Sequence, residues 1–122
     1  MFTLDAPSAE TLDVLLQAWP DSAALTSELH ESPAVQEAIG LFLSAVYATD
    51  FVQPFDWQSE FGRRRTLMNE AGLKRASAGR WRALMIAHIR MDRFCEGHLL
   101  DVLRSGYLEQ ARLRLLKLRD RL

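Results

Sequence analysis

Arg90-Met91-Asp92-Arg93-Phe94-Cys95-Glu96-Gly97-His98-Leu99 packs two arginines, two carboxylates, a thiol, an imidazole and a phenyl ring into ten residues. Apolar residues at helical spacing flank it. Trp81, Leu84, Met85, His88 and Ile89 precede it, and Leu99, Leu100, Val102 and Leu103 follow. The stretch is therefore expected inside a helical fold rather than in a solvated loop. A charge buried without a partner costs several kcal/mol, so these groups are either paired or in contact with a ligand.

Working outward, Ser77 is placed to cap the preceding helix, and Gly106 to end the following one as a C′ residue. A last helix starts near Tyr107, with Leu108, Ala111, Leu115, Leu118 and Leu122 as its inner stripe. Arg112, Arg114, Lys117, Arg119 and Arg121 solvate its remainder. At the other end of the chain, Ser8 caps a helix to Trp19 with Leu12, Leu15 and Leu16 inward, stopped by Pro20. A short segment with Leu25 and Leu29 inward covers Ser22 to His30. Ser32 and Pro33 then open a helix bearing Val35, Ala38, Ile39, Phe42, Leu43, Val46 and Tyr47, broad enough to be the central one. The connector Asp50-Phe51-Val52-Gln53-Pro54-Phe55-Asp56-Trp57 is too aromatic for a free loop and is expected against the core. Asp56 is placed to cap a helix from Trp57 to about Glu70, with Phe61, Leu67 and Met68 inward. Residues Ala71 to Gly79 read as a break. The whole chain, 1–122, is one all-α domain: a compact bundle of five or six helices with no strand pattern.

Composition narrows the function classes. At 48% hydrophobic and 25% charged, the chain is an ordinary globular domain. Its one cysteine, Cys95, rules out an internal disulfide and fits a cytoplasmic setting. Met1 to Glu10 holds two carboxylates and no cation, unlike a signal peptide, and no apolar run approaches a membrane span. The net charge of −1 hides a segregation. Residues 1–62 hold ten carboxylates and no Lys or Arg, whereas residues 63–122 hold all 15 basic residues and six carboxylates, giving −10 and +9. Either the halves neutralise each other inside the fold, or each shows its charge to a partner.

Two motifs, Phe-x-x-Pro-Phe-Asp-Trp (Phe51, Pro54, Phe55, Asp56, Trp57) and Arg-x-Asp-Arg-Phe-x-Glu-Gly-x-Leu (Arg90, Asp92, Arg93, Phe94, Glu96, Gly97, Leu99), resemble a bacterial family of small proteins catalogued only as a domain of unknown function. The resemblance implies no activity, substrate or cofactor. It does imply that the two motifs belong together in one fold.

The candidate motif residues are therefore Asp50, Pro54, Phe55, Asp56, Trp57, Arg90, Asp92, Arg93, Phe94, Glu96 and Gly97. We expect an interior polar–aromatic knot in which Arg90 or Arg93 pairs with Asp50, Asp56, Asp92 or Glu96, packed by Trp57 and Phe94. On that expectation Arg93→Lys lowers the melting temperature. Three rival chemistries are weighed against it. A continuous helix would align His88, Asp92 and Glu96 as a metal-ligand or acid/base row, but an Asp92 cap and Gly97 favour a helix restart that breaks the alignment. Cys95 beside His98 is read as a small buried hydrophobe rather than a nucleophile. Arg63, Arg64, Arg65, Lys74, Arg75, Arg80 and Arg82 form the densest basic region, the footprint a nucleic-acid partner would need, balanced here by the acidic half. The favoured function is a non-enzymatic protein-interaction module, with self or another protein as partner. A nucleic-acid accessory role is the first alternative and an enzyme using His88, Asp92 and Glu96 the second. No metal or cofactor is implied.

Overall fold

Ser8 lies in extended backbone (φ −68°, ψ 155°), and its Oγ accepts a bond from the Thr11 amide at 3.1 Å. This satisfies one of the amides that a helix start leaves without an intrahelical partner. Ser77 does the same, with φ −66°, ψ 170° and its Oγ 3.2 Å from the Arg80 amide. Both serines open helices where the sequence places them. The computed structural model describes residues 4–20, 33–54, 56–57, 70–95 and 97–121. Its helices are α1 (Ala9–Gln17), α2 (Pro33–Tyr47), α3 (Glu70–Arg75), α4 (Ala78–Phe94), α5 (His98–Arg104) and α6 (Tyr107–Arg119). No strand occurs among the described residues, so the fold is all-α. The segment Ser22–His30, the Ser32 cap, the body of the helix drawn from Trp57 to Glu70 and the Arg63–Arg65 run lie outside the described residues.

The most deeply buried of these helices is α4. Every residue from Trp81 to Ile89 is buried. On α2, Val35, Phe42 and Val46 are buried, but Tyr47 is 46% exposed. The reason is contact geometry: α2 touches α1 and α5, while α4 lies against α5, α6 and the connector. Four rings from four segments meet over α4. Trp19 and Trp81 have centroids 6.2 Å apart, Trp19 meets Phe42 edge-on at 5.0 Å, and Phe51 meets Trp81 edge-on at 5.8 Å. Burying one such ring stabilises by about 4–6 kcal/mol before chain entropy is set against it. The two indole N–H groups are satisfied by α6, Trp19 donating to the Leu108 carbonyl and Trp81 to the Ala111 carbonyl, each at 3.1 Å.

The expected break over Ala71–Gly79 shrinks to Ala76 and Ser77. Glu70–Arg75 is a short helix whose Leu73 is fully buried. Its end is held by Arg114, which donates two bonds to the Ala76 carbonyl at 3.1 and 2.7 Å. Burial of Leu73 and that side-chain cap outweigh the weak helix propensity of Gly72. The α4–α5 and α5–α6 corners turn at Gly97 (φ 83°) and Gly106 (φ 87°), left-handed positions that disfavour any side chain.

Candidate functional site

Arg82, Ile86, Arg90 and Arg93 fall at i, i+4, i+8 and i+11 on α4, which places them on one face. The connector after α2 runs along that face. Its start, Asp50-Phe51, meets Arg82; its end, Gln53 to Trp57, faces Ile86, Arg90 and Arg93. The two ends of this stripe have different characters.

The lower end is the interior knot that the sequence leads one to expect, built on another arginine. Arg82 is 3% exposed. It donates from Nε to the Phe51 carbonyl at 2.7 Å, from one terminal nitrogen to the Asp5 carbonyl at 3.2 Å and from the other to the Asp50 carbonyl. Its guanidinium carbon sits 5.4 Å from the Phe51 ring centroid. Burial pulls the Arg82 pKa below its ordinary value, while the Asp50 and Asp5 carboxylates act in the opposite direction. Fork-shaped donors suit three carbonyls at once, a task an ammonium performs poorly. Arg82 is thus withdrawn from the basic surface in which the sequence places it. The signal was present: it is flanked by Trp81, Ala83, Leu84 and Met85 and shares a register with Ile86.

The upper end is open. Gln53, Pro54, Asp56 and Trp57 on one wall and Ile86, Arg90 and Arg93 on the other enclose a cleft of about 480 Å³. Ile86 is buried at 1% exposure and forms the floor; Arg90 and Trp57 are half-buried; Arg93 and Asp56 are exposed. Both motifs therefore converge on one place. Among the described residues the expected ion pairs do not form. Neither Arg90 nor Arg93 makes a salt bridge with a described residue. Two of the carboxylates expected to pair with them have other partners. Asp50 accepts from the Thr11 hydroxyl at 3.2 Å. Asp92 accepts from the Leu99 amide at 3.0 Å. Asp92 is not the N-cap expected of it: it lies inside α4, Gly97 holds the cap position of the next helix, and the Asp92 carboxylate reaches that helix only through the Leu99 amide. Phe55 and Glu96 lie outside the described residues, and Phe94 ends α4.

The other candidates are also relocated. Cys95 leaves helical geometry (φ −123°, ψ 93°), so the row His88–Asp92–Glu96 does not continue as a helix face. His88 turns instead to His98. Their Nδ1 and Nε2 lie 3.0 Å apart, with rings 12° from parallel and centroids 5.2 Å apart. The difference between those distances is about two ring radii, so the imidazoles meet edge to edge in a shared hydrogen bond. His88 also packs on Tyr107 with centroids 4.5 Å apart. Cys95 is exposed, not the buried hydrophobe expected, because the chain turns outward at the helix end. No group of three His, Cys, Asp or Glu able to hold a metal occurs among the described residues. The two charge halves meet in an ion pair between Asp13 and Arg119 at 3.1 Å on the surface. Arg119 draws the Asp13 carboxyl below its ordinary pKa. It is the one ion pair between the halves among the described residues that the structure shows directly.

Fold and site together define an all-α domain with a solvent-open, arginine-lined cleft beside α4. The chain belongs to a family of unknown function, DUF6508, whose model matches residues 14–121 and so spans all the segments that line the cleft. No curated protein and no solved structure matches it.

Proposed function

We propose that this protein is a non-enzymatic interaction module that receives an acidic segment of a partner protein between the connector and α4. The observation that carries this is the convergence of the two motifs on a cleft whose two arginines have no ion-pair partner among the described residues. Arg90 and Arg93 lie one turn apart, and each guanidinium offers a planar fork to a carboxylate. Trp57, Pro54 and Ile86 supply apolar surface beside them, the mixture that protein-recognition sites use. Cys95, His88 and His98 are not among the lining residues, and Asp56 is the one carboxylate there. The single cysteine supports a cytoplasmic setting, and no described helix is long and apolar enough to cross a membrane.

The test is a titration with a fluorescein-labelled peptide of alternating glutamate and leucine, followed by anisotropy and by tryptophan emission. Trp19 and Trp81 are buried, so a change in emission reports chiefly on Trp57. Binding that weakens with salt and disappears in R90E/R93E supports the reading. Binding that survives the double substitution, or no binding at all, overturns it.

A further inference from the structure

The segments packed along the α4 stripe differ in exposed charge: Asp5 and Asp50 stand at its lower end, and Arg90 and Arg93 face Asp56 at its upper end. At the lower end Arg82 gathers the backbone of Asp5 and Asp50, and both of these residues are exposed. Because Arg82 bonds to their carbonyls, neither carboxylate is consumed in holding it. The two carbonyls meet at one guanidinium, so these exposed acidic residues are neighbours through their backbones. At the upper end stand Arg90 and Arg93. Eight to eleven residues of helix separate the ends, about 12–17 Å at 1.5 Å per residue.

We propose that a second copy of this chain occupies the cleft, in a twofold dimer where the Asp5/Asp50 end of each protomer meets the Arg90/Arg93 end of its partner. The inference rests on the cleft being an interaction site, as proposed above, and adds the occupant. An acidic patch and a basic patch side by side on one face are self-complementary about an axis passing between them, which is the isologous arrangement. The sequence-wide segregation of −10 and +9 points the same way. Among the described residues the Asp13–Arg119 ion pair joins the two halves, and it uses neither end of this stripe. Complementary patches of this kind direct register and orientation in an interface.

Sedimentation velocity over a range of protein concentrations tests it. The wild-type chain dimerises at ~20 mM salt and weakens by about tenfold or more at ~500 mM, as the Debye length falls from roughly 20 Å to roughly 4 Å. R90E/R93E and D5K/D50K each sediment as monomers, because each places like charges opposite one another. Mixed one to one they form a heterodimer, since every contact then joins opposite charges. Asp50 also receives the Thr11 hydroxyl bond, so D5K with R90E/R93E provides the same mixture if circular dichroism shows D50K misfolded. A wild-type monomer at every concentration in low salt overturns the self-pairing. So does a mixture that stays monomeric. If that monomer still binds the acidic peptide through Arg90 and Arg93, only the identity of the occupant has failed; if it binds none, the cleft reading fails with it.

Discussion

The Nε of Arg82 donates to the Phe51 carbonyl at 2.7 Å, and its guanidinium carbon lies 5.4 Å from the centre of the Phe51 ring. One residue on α4 thus fixes the path of the connector, and through it the wall that carries Gln53, Pro54, Asp56 and Trp57. The cleft exists because that anchor lies a helical turn below it. Replacing Arg82 by Met leaves the buried Phe51 carbonyl and the part-buried carbonyls of Asp5 and Asp50 without this donor. We expect a loss of about 2–4 kcal/mol in urea unfolding, at the upper end of single-substitution effects.

Asp92 ties the end of α4 to the start of α5 through the Leu99 amide at 3.0 Å. Asp92→Ala should cost about 0.5–2 kcal/mol, the range for a lost helix cap. Faster hydrogen exchange of the Leu99 amide is the local sign. An unchanged exchange rate would show that the bond contributes nothing.

Gly97 has φ 83°, and a Cβ built there meets nothing within 4 Å. Gly97→Ala therefore tests backbone strain alone. We expect a loss of about 1–2 kcal/mol, and a smaller one for Gly97→Asn, which tolerates the left-handed region better. Equal losses for the two would mean that the corner is not held in that conformation.

Asp13 is paired with Arg119, which holds its carboxyl below the ordinary pKa of an aspartate. A carboxyl depressed in the folded state contributes stability above its unfolded pKa and loses it as pH falls through the folded one. The stability difference between the wild-type chain and Asp13→Asn should thus be constant from pH 7 to about 5 and vanish below about 4, toward the depressed value. The pair is exposed, so the difference is small and shrinks further with salt. Urea melts at pH 7 and pH 3 measure it.

Much of the fold was legible because its signals are local. Ser8, Ser77, Pro33 and Gly106 mark helix ends through their own backbone or side-chain chemistry, and the inner stripes of α1 and α6 follow their spacing. The short helix α3 was not legible, because what holds it is burial of Leu73 and a cap from Arg114, thirty-eight residues away in sequence. The site was legible by position and not by role. Pro54, Asp56, Trp57, Arg90 and Arg93 do line one place. A search for arginine–carboxylate pairs overlooks an arginine whose acceptors are carbonyls, because every residue has a carbonyl and no sequence pattern marks the three that converge. Read from sequence, Arg82 therefore belongs to the surface charge, and the knot falls to Arg90 or Arg93.

That assignment is also the sharpest point of contact with experiment. If Arg82 anchors the fold and Arg93 serves the cleft, lysine substitutions at the two positions separate cleanly in thermal melts. Arg82→Lys should lower the melting temperature by about 6–12 °C, corresponding to ~2–3 kcal/mol in a chain of this size, while Arg93→Lys leaves it within about 2 °C. A melting temperature that falls as far for Arg93→Lys as for Arg82→Lys would return Arg93 to the interior and close the cleft as a binding site.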